Sequence, residues 1–194
     1  MACMSGDDAV RLHNELRDAV FVKCMAAGIQ GRREQAELLP DDPRRRPGDI
    51  YIPQWPGGQG IAMDFAVTSP LQIALVQAAA ERPLAAARAY EERKFADRQT
   101  AQRCLDHGVR LVPMVAESPG GWRPEAQKAF KVIARSLSSA TGLPHGLAVA
   151  QMYESLSVKL MRAIARSTLA RTSRAMAEAS SLAASAAARE LATQ

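Results

Sequence analysis

Hydrophobic residues change their spacing from segment to segment along the chain, and the changes predict an ordered series of helices and strands. Residues 8–28 carry apolar side chains near helical spacing and end at Gly28, which is typical of an amphipathic helix. Residues 29–40 predict a first short strand. Residues 46–69 then form two β-rich arms around the turn-forming sequence PGGQG, and this arrangement predicts a β-hairpin.

Helical patterns dominate the chain after the hairpin. A helix is predicted on each side of Pro83, and the second, residues 84–107, is expected to run without a break for about 36 Å at 1.5 Å per residue. Charged residues share its apolar stripe, so that stripe either lies at the margin of the core or faces a functional site across the sheet. The apolar run 109–118 predicts another strand, and residues 124–142 predict a further covering helix.

The last part of the chain predicts one long helix. From Leu147 to about Leu191 there is neither Gly nor Pro; the first half has an apolar stripe that should dock on the domain or on a partner, and the Ala/Ser-rich tail can bury little area. The order helix, strand, strand, strand, helix, strand, helix, long helix describes an α/β (α+β) protein with a mixed central sheet. We expect a domain of residues 1–142 and a helical extension of residues 143–194.

Each arm of the hairpin carries one acidic residue in an otherwise apolar setting. The arm IAMDFAVT predicts a central strand covered on both faces, and an ionised Asp64 inside it is costly unless a cation or a hydrogen-bond donor meets it. Asp49 opens the other arm. One interpretation is that a nearby arginine satisfies each acid. The other is that Asp49 and Asp64 together bind Mg²⁺ or Mn²⁺, because Mg²⁺ takes one or two carboxylates plus phosphate oxygens of a substrate.

Composition and charge narrow the class of protein. Of the 194 residues, 47% are hydrophobic and 23% are charged, which excludes global disorder, and the net charge of +5 is compatible with a polyanionic partner. Two basic groups are candidates for nucleic-acid contacts or, on the alternative interpretation, are solvated charges. They are the arginines directly before Asp49 and three residues of the long helix: Arg44, Arg45, Arg46, Lys159, Arg162 and Arg166.

The sequence contains no pattern typical of a zinc site, a membrane helix or a signal peptide. The three cysteines are odd in number and scattered, which indicates a reducing compartment and no zinc cluster. His13, His107 and His145 have no zinc-site spacing, so a surface or cap role is expected for each. No apolar run is long enough for a membrane helix, and no signal-peptide pattern is present, so we expect an intracellular protein with no membrane partner.

Four segments together resemble a known family. They are HNELRDAV; RRPGDIYIPQW followed by AMDFAVTSPLQ; EERK followed by CLDHG and LVPMVAESPGGW; and YESLSVKLMRAIAR. In combination they look like the C-terminal endonuclease-like region that follows the reverse transcriptase of certain non-LTR retrotransposons. The similarity covers roughly residues 10–172. It implies a PD-(D/E)XK restriction-endonuclease-like fold with an αβββαβ core.

The resemblance also implies roles for individual residues. Asp49 and Asp64 take the places of the two motif acids and would ligate Mg²⁺ or Mn²⁺. The motif lysine should lie two residues after the second acid, but that position is Ala66. In the retrotransposon-type enzymes the lysine comes from the following helix, and the matching residue here is Lys94. Glu91, one turn earlier, would help to bind or orient Lys94.

The first motif is also imperfect, because Gly48 separates Pro47 from Asp49.

The expected function is a metal-dependent DNA endonuclease of retrotransposon origin, with RNA as a second possible substrate and a nuclear location if the source is eukaryotic. Two alternatives stay open. One is a catalytically inactive nucleic-acid-binding module derived from such a domain. The other is a helical interaction protein that forms a homodimer through its C-terminal helix.

Overall fold

Four strands form a mixed sheet with helices against both faces, in a computed structural model that describes residues 6–192 apart from the side chains of Arg98 and of residues 182–192. The strands lie side by side in chain order. The first two pairings are antiparallel and the third is parallel. The strands are β1 (Arg32–Arg33), β2 (Ile50–Ile52), β3 (Gly60–Thr68) and β4 (Val109–Glu117).

Six α-helices surround this sheet in the described residues. Their order relative to the strands agrees with the series that the hydrophobic pattern predicts, except that the connection from β3 to β4 is divided into more pieces. The helices are α1 (Gly6–Ala26), α2 (Val76–Glu81), α3 (Ala85–Ala96), α4 (Thr100–Asp106), α5 (Pro124–Thr141) and α6 (His145–Ala192).

The larger core lies between one face of the sheet and the helices α1, α5 and the first half of α6. Alternate residues of β3 point to this face, since successive side chains in a strand face opposite sides. The first half of α6 contributes to the same core, which confirms that its apolar stripe docks on the domain. The buried side chains include Ile61, Met63 and Phe65 of β3, Leu12, Leu16 and Val20 of α1, and Met152, Leu156 and Leu160 of α6.

Helices α3 and α4 cover the other face with smaller clusters. Ala62 packs with Cys104 of α4, and Ala66 packs with Ala87 of α3. Strand β3 is therefore central and covered on both faces, as predicted. Asp64 lies between these two alanines in the alternation, so its carboxylate is on the α3/α4 face of the sheet.

The prediction of an unbroken helix over residues 84–107 is wrong. Helix α3 ends at Ala96, a short 3₁₀ turn covers Asp97–Gln99, and α4 begins at Thr100. Gln99 has a left-handed backbone with φ of 53°. The Nη2 atom of Arg45, from the loop before β2, lies 2.6 Å from both Asp97 Oδ2 and Thr100 Oγ1, so a tertiary contact spans the break.

Other helix limits differ less from their predictions. Helix α2 begins at Val76, because residues 71–75 form turns instead of the expected helical start. Helix α6 follows the short connection of residues 142–144 and runs for 48 residues, about 72 Å at 1.5 Å per residue. Among the helices of the described residues, none has the length and hydrophobicity that crossing a membrane requires.

Candidate functional site

The β2–β3 ladder brings the two predicted acids together. Ile50 and Met63 are the last pair of this ladder, so Asp49 and Asp64 are the next residue on each strand, and they lie close enough for the charge of Asp49 to raise the pKa of Asp64. The backbone N–H of Asp49 donates to the Met63 carbonyl at 2.7 Å, and the N–H of Phe65 donates to Asp49 Oδ2 at 2.6 Å. These bonds fix both the backbone and the carboxylate of Asp49 against β3.

Gly48, which lies between Pro47 and Asp49, packs against the backbone of β3. A Cβ atom at this position would be 2.8 Å from the Met63 carbonyl oxygen and 2.9 Å from the Ala62 carbonyl carbon. Backbone atoms cannot move aside as the end of a flexible side chain can. The glycine between Pro47 and Asp49 is thus a structural requirement, because it lets the chain approach β3 closely enough to place Asp49.

Lys94 extends from α3 to Asp64. Its Nζ atom is 2.7 Å from Asp64 Oδ1, and the Asp64 side chain is 10% exposed. Burial raises the pKa of Asp64 to about 6, although the Lys94 charge acts in the opposite direction. Burial also opposes the charged form of Lys94, but the Asp64 carboxylate outweighs this effect and raises the pKa of Lys94.

The second carboxylate oxygen of Asp64, Oδ2, lacks a hydrogen-bond partner among the residues that the structure describes, although it is buried. A buried carboxylate oxygen without a partner is costly, and such an atom calls for an explanation such as an ion or a water. A hard divalent cation, which prefers oxygen ligands, fits this donor.

His13 of α1 also belongs to the site, although the sequence analysis expected a surface or cap role for it. Its Nε2 atom is 3.3 Å from Asp49 Oδ1. The hydrogen bond to Asp49 raises the pKa of His13 against the cost of burial, and the charge of Asp64 adds to the effect. The available signal was its position directly after the buried Leu12, which indicates a helix face at the margin of the core.

Glu91 is buried close to Lys94 in the chain but pairs with another residue. Arg123, which the sequence analysis did not single out, donates from Nε to Glu91 Oε2 at 2.8 Å, and its Nη2 atom is 2.7 Å from the same oxygen. Glu91 Oε1 is buried and has no hydrogen-bond partner within the described residues. The observed role of Glu91 is therefore an ion pair that ties α3 to the residue just before α5.

The three arginines before Asp49 have different surroundings. Arg45 is engaged with Asp97 and Thr100, as described above. Arg46 is exposed and its Nη1 atom lies 3.5 Å from Glu34 Oε2, whereas Arg44 is exposed. The structure therefore leaves Arg44 and Arg46 accessible to a ligand and gives Arg45 a contact within the fold.

The basic residues of α6 lie in the layer on the opposite face of the sheet from α3. Lys159 is half-buried, Arg162 and Arg166 are exposed, and Arg166 forms an ion pair with Glu15 of α1 at 3.0 Å. The structure thus does not gather Lys159, Arg162 and Arg166 beside Lys94.

An open cavity of about 590 Å³ lies beside Lys94 and is lined by residues of α3 and the following turn, including Tyr90 and Arg93. A second cavity of about 250 Å³ shares Tyr90 and Arg93 and adds the polar side chains of Thr68, Ser69 and Gln72. The Arg93 guanidinium is 5.1 Å from the centre of the Tyr90 ring. Space lined by basic, aromatic and hydroxyl groups therefore adjoins the Asp64–Lys94 pair.

No group of three or more His, Cys, Asp and Glu side chains placed to hold a metal ion occurs within the described part of the chain. The site instead offers the two carboxylates of Asp49 and Asp64. Comparisons of this chain with protein-family models, with curated proteins and with solved structures find no match in any of the three.

Proposed function

We propose that the chain is a metal-dependent DNA endonuclease with a restriction-endonuclease-like core of the retrotransposon type. The observation that carries this proposal is the environment of Asp64. Its carboxylate is buried in an apolar central strand near Asp49, with one oxygen on Lys94 and the other without a partner among the described residues. Structural acids in a core are normally satisfied completely, so a buried acid with one unsatisfied oxygen beside a second acid favours a functional site.

Each residue of the site has a chemical task in this proposal. Asp49 and Asp64 would hold Mg²⁺ or Mn²⁺, an ion that supplies an activated water and neutralises charge on the transferring phosphate. Lys94 takes the part of the motif lysine that Ala66 cannot play, and its ammonium group orients the water or stabilises the developing negative charge. His13 and the N–H of Phe65 each meet one oxygen of Asp49 and hold that carboxylate in place.

The surroundings of the site suit a polyanionic substrate. The cavity beside Lys94 is open, and Arg93 and Tyr90 at its wall can contact a phosphate and stack on a base. Arg44 and Arg46 lie in the loop that leads into Asp49 and are exposed. The net charge of +5 adds a general attraction for nucleic acid.

A second candidate is a catalytically inactive nucleic-acid-binding module. The observation that favours it is the 2.7 Å contact between Lys94 and Asp64, because a lysine ammonium can compensate a buried carboxylate without any metal ion. Such a module would keep the basic loop and the cavity but would not cleave.

Nicking of supercoiled plasmid tests the proposal. We expect cleavage with Mg²⁺ or Mn²⁺, none in EDTA, none for Asp49→Asn or Asp64→Asn, and a loss of at least about 100-fold for Lys94→Ala. Glu92→Gln is the matched control, since Glu92 is an exposed carboxylate on the same helix, and it should cleave normally. Equal nicking in EDTA, or full metal-dependent activity of Asp64→Asn, would show that the assignment is wrong. DNA binding without cleavage in any metal would favour the inactive module.

A further inference from the structure

Helix α3, which carries Lys94, has little apolar contact of its own to hold it. Its buried residues are Ala86, Ala87 and Glu91, of which two are alanines and one is charged. The residue before it, Leu84, has a left-handed backbone and gives no side-chain cap. Half-buried Tyr90 also packs with Ala66 and Val115, but because alanine buries little apolar area, polar contacts should contribute strongly to the position of this helix.

Glu117, at the end of β4, supplies the missing cap. Its Oε1 atom accepts hydrogen bonds from the backbone N–H groups of Ala86 at 3.0 Å and Ala87 at 3.1 Å. The first N–H groups of a helix have no partner within the helix, so this buried carboxylate satisfies two of them. The start of α3 is therefore fixed to the end of a central strand.

Arg123 holds the middle of the same helix through its ion pair with Glu91. Both side chains are largely buried, at 15% and 9% exposure. Glu91 precedes Lys94 by three residues, which places the two side chains on neighbouring positions of one helix face. A shift of Glu91 would consequently carry Lys94 with it.

Gly121 provides a third contact, between Glu117 and Arg123 in the chain. A Cβ atom there would lie 2.5 Å from Cδ2 of Leu84, so the Leu84 side chain packs directly on the glycine backbone. The segment is itself tied to β4, because the N–H of Glu117 donates to the Gly121 carbonyl at 2.8 Å and the N–H of Arg123 donates to the Val115 carbonyl at 2.9 Å.

We propose that the segment 117–123, called the clamp turn here, positions Lys94 against Asp64. Glu117, Gly121 and Arg123 of the clamp turn contact the start and the middle of α3, and β4 pairs with β3 in the register Asp64↔Pro113. The distance from Lys94 to Asp64 is thereby set through β3, β4 and the clamp turn. Arg123 and Glu117 are positioning residues, and this role rests on the proposed nuclease function.

A double-mutant cycle tests this role. We expect Arg123→Ala to lower the single-turnover cleavage rate by about 10- to 100-fold with little change in the Kd for DNA, because a small misplacement of a catalytic group is sufficient to slow a reaction. In the Lys94→Ala background the same change should cost nothing further. Arg123→Lys should restore part of the rate. Arg110→Ala is the matched control, because Arg110 forms an exposed ion pair with Glu125, the residue after Pro124.

Acylation of lysines, followed by mass spectrometry, gives a readout that needs no activity. Lys94 should react slowly relative to the exposed Lys128, and Arg123→Ala or Gly121→Ala should raise the relative rate several-fold. Arg110→Ala should not. Two results would overturn the inference. One is that Arg123→Ala lowers the cleavage rate as much in the Lys94→Ala background as in wild type. The other is that neither Arg123→Ala nor Gly121→Ala changes the acylation rate of Lys94 in folded protein. An inactive wild type with these reactivity changes would refute the nuclease and leave the positioning of Lys94 established.

Discussion

The Asp64 carboxylate is buried beside a lysine, and this ion pair does not fully offset the cost of burying it. Its pKa is about 6 in the folded chain, against an ordinary value of 3.8. The native state therefore holds the proton of Asp64 more tightly than the unfolded chain does. The ionised Asp64 thus lowers the stability of the folded chain, and a perturbed, destabilising carboxylate of this kind is typical of functional sites.

The first prediction concerns the pH dependence of stability without metal. Well below pH 3.8 the carboxyl is neutral in both states; as pH rises towards 6 the unfolded state ionises first, so the native state loses stability. The full loss, roughly 3 kcal/mol, is reached above pH 6. Because Asp64→Asn has no such titration, its stability relative to wild type should rise by most of that amount, roughly 2–2.5 kcal/mol, between pH 4 and 7.

Urea unfolding of both proteins in EDTA across this pH range measures the difference. Comparison of the two proteins removes the contributions of titrating groups that do not interact with Asp64; the pKa values of His13 and Lys94 depend on Asp64, so their contributions stay in the difference. A difference that stays constant from pH 4 to 7 would contradict the assignment of a raised pKa to Asp64.

The second prediction concerns His13. His13→Ala removes the contact with Asp49 Oδ1 and leaves the bond from the Phe65 N–H to the other oxygen. Residues that orient a metal-binding carboxylate typically contribute about 10- to 100-fold to metal affinity or activity. We therefore expect a loss of that size in Mn²⁺ affinity by titration calorimetry. His107→Ala, at an exposed position, is the control. Equal Mn²⁺ affinities for the two variants would show that His13 does not contribute to the site.

At the scale of elements, the pairing of β2 with β3 determines whether Asp49 and Asp64 lie close together. Register in a hairpin sets which residues face each other and on which side of the sheet they point. Here Gly48 lies just before the paired residues, and its close approach to the backbone of β3 is what the placement of Asp49 depends on.

The third prediction tests that dependence. Gly48→Ala should cost roughly 1–3 kcal/mol of stability, since the added methyl group overpacks against backbone atoms, and it should weaken Mn²⁺ binding by displacing Asp49. Gly146→Ala is the matched control. A Cβ there meets nothing within 4 Å, and a helical glycine replaced by alanine gains up to about 1 kcal/mol. If Gly48→Ala unfolds at the same denaturant concentration as wild type, the close-approach explanation fails.

The features of the fold that could be predicted from the sequence are those determined by residues close together in the chain. The apolar run around Asp64 predicts a central strand, and the two arms predict a hairpin with one acid, Asp49 or Asp64, on each arm. The break at Gln99 did not follow, because the contact that spans it comes from Arg45, over 50 residues away in the chain. The partner of Glu91 is likewise 32 residues distant, at Arg123. Contacts of that kind leave no periodic signal in a single sequence.

At the scale of the whole molecule, α6 has two parts with different surroundings. Its first part contributes Met152, Leu156 and Leu160 to the main core. Beyond Ser167 nearly all of the described side chains are exposed, and Leu169 and Met176 are 67% and 66% exposed. A homodimer through the C-terminal helix stays a prediction, and this second part is the region of α6 where exposure is greatest among the described side chains.

The fourth prediction separates the two parts by truncation. A chain that ends at residue 172 keeps every residue of α6 that is buried among the described side chains, and it should unfold within a few degrees of the full chain. A chain that ends at residue 155 loses the buried Leu156 and Leu160, each worth about 1.5–3 kcal/mol, and should fail to fold, since whole domains are stable by only about 5–15 kcal/mol.

Sedimentation of the full chain and of the chain ending at residue 172 then tests the predicted homodimer. If the exposed second part of α6 pairs two copies, the full chain should sediment as a dimer and the shorter chain as a monomer of unchanged cleavage rate, because Asp49, Asp64 and Lys94 lie outside α6. The double variant Leu169→Glu and Met176→Glu should act like the truncation, since charges replace the two exposed apolar side chains. A monomeric full chain would contradict pairing through α6, and a dimer that survives truncation would contradict pairing through the residues after 172.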